Sequence, residues 1–180
     1  MVSAQDAVRI IKQLSAAGIG VWVCGGWGVD ALLGRATRTH KDLDILVLLD
    51  DIVRARELLE RDGYSLKELW SENLRAVDSR GVETDTGFVL EDAAGREIDL
   101  HAIRLDAAGG ATPAYDGGDI GPGMTFSAED LSGEGAIAGV PVRCLSVEMQ
   151  FRGHTGYELP ERQIPDLELL RERFGVERPK

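Results

Sequence analysis

Hydrophobic residues recur first at helical and then at strand spacing along the start of the chain. Apolar side chains return every three or four positions up to Leu14, which predicts a helix over residues 3–17 with Ser3 and Asp6 as its capping box. The apolar runs GVWVC and DLDILVLL predict two strands with a short helix between them. This part of the chain therefore has the order helix, strand, helix, strand.

Beyond the second strand the hydrophobic period changes. A helix capped by Asp50 or Asp51 comes first, and strands are then predicted at YSLKELW, LRAVDS, TGFVLED and EIDLHAI. Residues 106–139 are rich in glycine, aspartate, proline and alanine, and the run GGATPAYDGGDIGPG within them predicts a long surface loop. A late strand, GVPVRCL, and a terminal helix, IPDLELLRERFG, complete the pattern.

Together these elements predict an α/β fold in which helices flank a mixed, twisted sheet. A length of 180 residues fits one domain. We expect residues 1–105 to form its core. Residues 106–180 should add a loop, a late strand and a C-terminal helical segment that complete the same domain.

The charge of the chain narrows the classes of partner. With 31 acidic and 20 basic residues the net charge is −11, which disfavours nucleic acid and favours cationic small molecules or divalent metals. Cys24 and Cys144 lie in apolar surroundings without metal-ligand spacing, which predicts reduced thiols and a cytoplasmic protein. The longest aliphatic run, ILVLL, is too short to span a bilayer, so no membrane association is expected.

Two aspartates interrupt the strongest predicted strand. Asp42 and Asp44 are two positions apart, so their side chains point to one side while Leu43 faces the core. Carboxylates held that close repel each other unless a cation lies between them. Mg²⁺ would resolve the conflict and keep positions for water and substrate phosphate. The alternative is that Asp42 simply pairs with Arg35 or Arg38.

A third carboxylate, Asp99, lies in the apolar strand REIDLHAI. If that strand neighbours the one that carries Asp42 and Asp44, the three acids form a platform for two-metal phosphoryl chemistry. Otherwise Asp99 is an acid at a strand end that faces water. His101 shares a side with Asp99 and would orient it.

The turn at Gly25 and Gly26 adds a complementary feature, because it follows a strand and opens a helix. Glycine lets the backbone approach a ligand closely, and a helix N-terminus offers unpaired N–H groups to an anion. A strand–Gly–Gly–helix turn is also common for structural reasons alone.

The motifs GGWGVD, TRTHKDLDI and EIDLHAI resemble the nucleotidyltransferase superfamily that includes DNA polymerase beta. The chain is most similar to its small antibiotic-modifying branch, the aminoglycoside 2″-O-adenylyltransferases and lincosamide nucleotidyltransferases. The C-terminal runs GVPVRCLSVEMQFRGHTGYELPER and DLELLRERFGV resemble the same branch, so the resemblance covers nearly the whole chain. It implies a nucleotidyltransferase fold.

The resemblance implies roles for the three acids. Asp42 and Asp44 match the metal-binding aspartates, with two Mg²⁺ ions expected. Asp99 matches the third carboxylate, which serves either as the general base for the acceptor hydroxyl or as a further metal ligand; the sequence leaves both open.

The resemblance also implies a nucleotide site. Gly25 and Gly26 match the nucleotide turn, and Arg38 and His40 match basic positions that would contact the triphosphate of ATP or another nucleoside triphosphate. The chain departs from the wider superfamily at Gly26, where a serine is common, and from similar sequences in RQIPDLELL.

The function implied is the transfer of a nucleoside monophosphate, AMP from ATP, to a hydroxyl of a small-molecule antibiotic. The acidic balance favours an aminoglycoside slightly over a lincosamide. The alternatives are a toxin- or antitoxin-type nucleotidyltransferase that acts on protein or tRNA, and a catalytically silent nucleotide- or antibiotic-binding protein. The protein is expected to be a monomer or a homodimer.

Overall fold

The computed structural model of the chain describes residues 1–70, 75–114, 125–153 and 164–176. Its helices are α1 (Ala4–Ala16), α2 (Gly25–Leu33), α3 (Leu49–Arg61), α4 (Val147–Gly153) and α5 (Ile164–Phe174). Its strands are β1 (Val21–Val23), β2 (Asp42–Leu48), β3 (Ser65–Leu69), β4 (Arg75–Val77), β5 (Glu83–Asp85), β6 (Gly87–Glu91), β7 (Glu97–Leu105), β8 (Ala111–Pro113), β9 (Gly133–Ile137) and β10 (Val140–Cys144).

Eight of these strands form one mixed sheet in the order β3-β6-β7-β2-β1-β10-β9, with β8 also paired to β7, and β4 and β5 form a separate hairpin. The pairs β2–β7 and β1–β10 are parallel and the others are antiparallel. The predicted mixed sheet with flanking helices is confirmed. Strands β9 and β10 extend the sheet beyond β1, so both predicted segments of the chain contribute to it.

The alternation of residues along β2 separates a packed face from an open one. Leu43, Ile45 and Val47 are fully buried in a cluster with apolar residues of α1 and α3. Asp42 and Asp44 therefore lie on the opposite face. The predicted capping box of Ser3 and Asp6 is present at the start of α1.

The predicted cap of α3 is wrong. The helix follows β2 without a loop, so Leu48 is its N-cap residue and Asp50 and Asp51 lie in the first turn. Their carboxylates still favour the helix electrostatically, because the N-terminus carries partial positive charge. Asp50 also accepts hydrogen bonds from the amide and the hydroxyl of Ser79.

The long loop predicted for the run GGATPAYDGGDIGPG is wrong at its start, and the glycine-rich residues after it contain a strand that was not predicted. Ala111–Pro113 pairs with β7 as β8, and Gly133–Ile137 pairs with β10 as β9. A Cβ at Gly135 would overlap the backbone of Ala31, so β9 needs glycine to pass close to α2. That glycine content is what made the segment resemble a loop; residues 115–124 lie outside the described part of the chain.

Both cysteines are free thiols. Among the described residues, no helix combines the length and the apolar character needed to cross a bilayer.

Candidate active site

The open face of the sheet carries a cleft of about 970 Å³. It brings together all seven site residues that the sequence predicts, which are Gly25, Gly26, Arg38, His40, Asp42, Asp44 and Asp99. Apolar side chains, among them Leu46, Phe126 and Met149, form another part of the wall of the cleft. The cleft therefore combines a charged floor with an apolar side.

The floor is built by the parallel pairing of β2 with β7. Asp44 lies directly opposite Asp99, and Asp42 lies opposite Glu97. Because the strands are in register, four carboxylates share one face in two adjacent cross-strand rows. Asp99 is 7% exposed and lies within β7, so the alternative of a strand-end acid that faces water is wrong.

Among the described residues, no Lys or Arg balances the charge of Asp44. Burial raises the pKa of its carboxyl to about 8, and the nearby Asp42 and Asp99 add to the rise, which His101 only partly offsets. Among the described residues, no Lys or Arg forms an ion pair with Asp42, so the predicted alternative of a pair with Arg38 is not found. This end of the floor holds excess negative charge.

In the neighbouring row, lysines compensate the charge of Glu97. Glu97 is 6% exposed and lies 2.9 Å from the Nζ atoms of both Lys41 and Lys67. Burial acts to raise the pKa of Glu97, but hydrogen bonds from Lys67 and Lys41 outweigh it and hold the pKa below its usual value. Glu97 is therefore a structural acid whose charge is matched within the fold.

The acids fit a cation that takes part of its coordination from elsewhere. Among the described residues, no three His, Cys, Asp or Glu side chains converge as a complete metal site. Mg²⁺ is commonly bound by one or two carboxylates together with substrate phosphates and water. Asp42 and Asp44 supply such a pair. The raised pKa of Asp44 indicates that a bound cation would stabilise its charged form.

The glycine turn lies directly against the carboxylate floor. Gly25 has a φ of +56°, and a Cβ built on it would overlap Oδ2 of Asp44. A Cβ on Gly26 would overlap His40 Nδ1 and would lie 2.7 Å from an Arg38 guanidinium nitrogen. Glycine is thus required at both positions, at Gly25 by conformation and contact and at Gly26 by contact alone.

The two predicted basic residues are held by buried acids that lie outside the predicted set of site residues. Arg38 binds Asp166 of α5 through Nε at 3.0 Å and a terminal nitrogen at 2.8 Å. His40 Nε2 lies 2.6 Å from Asp30, which leaves Nδ1 on the side of Gly26. A carboxylate can only accept, so Nε2 carries the proton. Both basic groups are fixed beside the N-terminus of α2.

Sequence reasoning left both of these acids, Asp166 and Asp30, out of the site. Asp166 lies in RQIPDLELL, where Pro165 occupies the first turn of α5 and Gln163 lies outside the described residues. Asp30 also accepts from the amide and hydroxyl of Thr37. An acid at helical spacing within an apolar run was the available signal for both acids.

Another unpredicted residue, Trp70, reaches the acidic end. Its indole Nε1 donates to Asp99 Oδ1 at 2.6 Å, and His101 Nε2 lies 3.1 Å from the same oxygen. The expectation that His101 orients Asp99 fits this contact. The strict alternation of Glu97, Asp99 and His101 along one strand was a signal for the whole row.

Comparison with known proteins identifies relatives of the chain. The sequence model of the family described as aminoglycoside-2''-adenylyltransferase matches residues 6–170. The lincosamide resistance protein of Staphylococcus haemolyticus is 28% identical over 150 residues, which is 83% of each chain. A 2''-aminoglycoside nucleotidyltransferase of Klebsiella pneumoniae is 32% identical over 145 residues, which is 78% of this chain and 68% of the relative.

A solved structure agrees with these relatives. The lincomycin-bound lincosamide antibiotic adenylyltransferase LnuA superposes with a TM-score of 0.76 at 25% identity, and the match covers 94% of this chain and 97% of LnuA. The nucleotidyltransferase fold implied by the sequence resemblance is therefore confirmed.

Proposed function

We propose that this chain, which belongs to the aminoglycoside-2''-adenylyltransferase family, transfers AMP from ATP to a hydroxyl group of a small-molecule antibiotic. The observation that carries the proposal is the pairing of Asp44 with Asp99 on parallel strands beside the Gly25–Gly26 turn. Phosphoryl transfer depends mainly on positioning and on charge stabilisation. A carboxylate floor next to an anion-binding helix N-terminus supports both.

Asp99 is the residue that we assign to the acceptor. Its carboxylate would take the proton of the acceptor hydroxyl, whose oxygen attacks the α-phosphorus of ATP. The bond from that phosphorus to the α–β bridging oxygen breaks, and pyrophosphate leaves with the electron pair. The Trp70 indole donates to Asp99 Oδ1 and His101 Nε2 lies 3.1 Å from the same oxygen, which leaves Oδ2 for the proton and favours the base over the metal-ligand role.

The other end of the cleft would bind the triphosphate. The N–H groups at the start of α2 and the Arg38 guanidinium offer donors to phosphate oxygens. Asp42 and Asp44 would hold Mg²⁺, which when bound supplies charge neutralisation on the triphosphate and on the leaving pyrophosphate. Two ions are proposed, as in the family that the sequence resembles.

The acceptor that we propose is an aminoglycoside in preference to a lincosamide. Among the described residues, Asp42, Asp44 and Glu68 line the cleft without an ion-pair partner, and the whole chain carries a net charge of −11. Such a field attracts the ammonium groups of a polycation. The relatives include both antibiotic classes, so a panel must contain both.

Incubation with ATP, Mg²⁺ and a panel of aminoglycosides and lincosamides tests the function directly. We expect pyrophosphate release and a gain of one nucleoside monophosphate in the mass of the antibiotic. Asp99→Asn should abolish turnover while nucleotide still binds, which separates a base from a ligand. No turnover with any acceptor, together with undiminished nucleotide binding in Asp42→Asn, would contradict the proposal.

A further inference from the structure

Trp70 follows the edge strand β3 and continues its pairing, because its amide donates to the carbonyl of Gly87 at 3.2 Å. Gly87 in turn pairs with His101 on β7. The middle position of this cross-strand row thus has no side chain. The rings of Trp70 and His101 occupy the space above it and stack with centroids 5.9 Å apart and planes inclined by 27°.

This row brings two ring nitrogens to one carboxylate oxygen. Asp99 Oδ1 lies 2.6 Å from Trp70 Nε1 and 3.1 Å from His101 Nε2. Oδ2 has no hydrogen-bond partner among the described residues. Because an indole can only donate and has a single N–H, Trp70 commits its one polar atom to this acid. The indole hydrogen bond and the close imidazole on one oxygen restrict rotation of the carboxylate and leave the other oxygen available.

The other two tryptophans show what an ordinary structural role looks like in this chain. Trp22 is 7% exposed and donates its indole N–H to the carbonyl of Leu131 at 3.0 Å. Trp27 is 4% exposed and packs against His40. Trp70 is 36% exposed and lines the cleft, so little of its contact with the protein is core packing.

We infer that Trp70 is a positioning residue, which holds the Asp99 carboxylate with Oδ2 presented to the acceptor hydroxyl. The inference rests on the proposed function for the role of Asp99, whereas the contact between the two residues does not depend on it. Removal of the indole N–H should impair the chemical step more than the binding of nucleotide.

Steady-state kinetics of Trp70→Phe test this role, because phenylalanine keeps an aromatic ring and removes the donor. A lost hydrogen bond to a charged group predicts a fall in kcat of about 10- to 100-fold. The KM for ATP should change by less than about twofold, since uniform binding is not affected. Trp22→Phe is the matched control, which loses a buried indole bond outside the cleft and should lower Tm while kcat stays unchanged.

A spectroscopic measurement tests the contact without any turnover. The chain has three tryptophans, so a ¹⁵N-labelled protein gives three indole N–H resonances, which Trp70→Phe and Trp22→Phe assign by subtraction. Asp99→Ala should shift the Trp70 resonance and leave that of Trp22 in place. This readout remains decisive even if no antibiotic is modified.

The possible results separate the two proposals. If wild-type protein transfers AMP and Trp70→Phe has wild-type kcat, the positioning role is overturned and the proposed function stands. If no acceptor is modified, the indole resonances decide, and a Trp70 resonance that does not respond to Asp99→Ala overturns the inference. An ATP KM that rises as much as kcat falls would also overturn it, since this pattern indicates general disruption of the cleft.

Discussion

Glu97 and Asp44 are acids on adjacent cross-strand rows of the same sheet face, and their surroundings are opposite. Two lysines bind Glu97 and hold its pKa below the usual value. No Lys or Arg in the described part of the chain pairs with Asp44, and burial together with Asp42 and Asp99 raises its pKa to about 8. The Glu97 carboxylate stabilises the fold, whereas the charged form of Asp44 destabilises it.

The contrast teaches how to separate structural from functional acids in this protein. A buried carboxylate whose charge is matched internally needs nothing from outside. A carboxylate that the fold leaves unmatched beside two further acids is stabilised only when a cation arrives. Asp166, which Arg38 binds, belongs to the matched kind although it lies next to the cleft.

The largest effect is expected from Asp44→Asn, which removes the unmatched charge. Transfer activity should fall by about 10³-fold or more, because metal-dependent charge stabilisation contributes several kcal/mol. The same change should raise the Tm of the protein in EDTA above pH 8, because the cost of a buried charge and its repulsion with Asp42 and Asp99 are lost. Initial rates and thermal unfolding measure both. A lower Tm in EDTA would contradict the assignment of Asp44 as an unmatched acid.

Gly25→Ala should disturb the same acid from the turn. Its left-handed φ costs about 1–2 kcal/mol with alanine, and the methyl group would displace Asp44 Oδ2. Misplacement of this group should lower kcat/KM by about 100-fold. Gly18→Ala is the control, since Gly18 has a φ of +77° with nothing within 4 Å of its Cβ position. Equal losses of activity in the two variants would show that only backbone strain matters.

Asp166→Asn tests a matched acid whose partner, Arg38, we propose as a triphosphate contact. Loss of the charge-assisted pair should free Arg38 and raise the KM for ATP by about tenfold, with a smaller change in kcat. Asp62→Asn breaks the exposed pair with Arg9 and should leave both constants unchanged. An unaltered ATP KM in Asp166→Asn would remove Arg38 from the triphosphate site.

Glu97→Gln should affect stability rather than chemistry. Its charge-assisted hydrogen bonds to Lys41 and Lys67 predict a loss of about 1–2 kcal/mol in the free energy of unfolding, moderated because both lysines reach solvent. We expect kcat to change by less than about threefold, which initial rates and urea unfolding would check. A loss of activity as large as that of Asp44→Asn would end the distinction between the two rows.

Asp44 and Glu97 should change the free energy of unfolding in opposite directions as pH rises. The raised pKa of Asp44 means that the folded protein holds this proton more tightly than the unfolded chain does, so metal-free stability falls as pH rises from about 4 to 8. The lowered pKa of Glu97 gives stability that is present above its usual pKa of 4.5 and is lost as pH falls below it.

Unfolding free energies measured across pH in EDTA would separate the fall in stability towards pH 8 from the loss of stability in acid. Asp44→Asn should remove only the fall towards pH 8, and Glu97→Gln should reduce only the loss in acid. Saturating Mg²⁺ should flatten the fall towards pH 8, because a bound cation takes the place of the proton. If the fall in stability towards pH 8 persists in Asp44→Asn, another group is its cause.

Much of the site could be predicted because its signals are local in the chain. The spacing of Asp42 and Asp44 fixes their common side, and the hydrophobic positions between and after them fix the packed face. The Gly25–Gly26 turn stands between an apolar strand and a helix, where such a turn binds anions. The glycine-rich strand β9 could not be predicted, because its conformation follows from contact with α2 and β10.

Local sequence thus determined which residues we propose to carry the chemistry, namely the two glycines, the aspartates and the basic pair that precedes Asp42. Only the tertiary structure decided how each one is surrounded. The pairing of β2 with β7 set Asp44 against Asp99, and the edge strand β3 brought Trp70 to that acid from 29 residues away. The physical reason is that the alternation of side chains depends only on neighbouring residues of one strand. Register, burial and the matching of charge depend on contacts between elements distant in sequence.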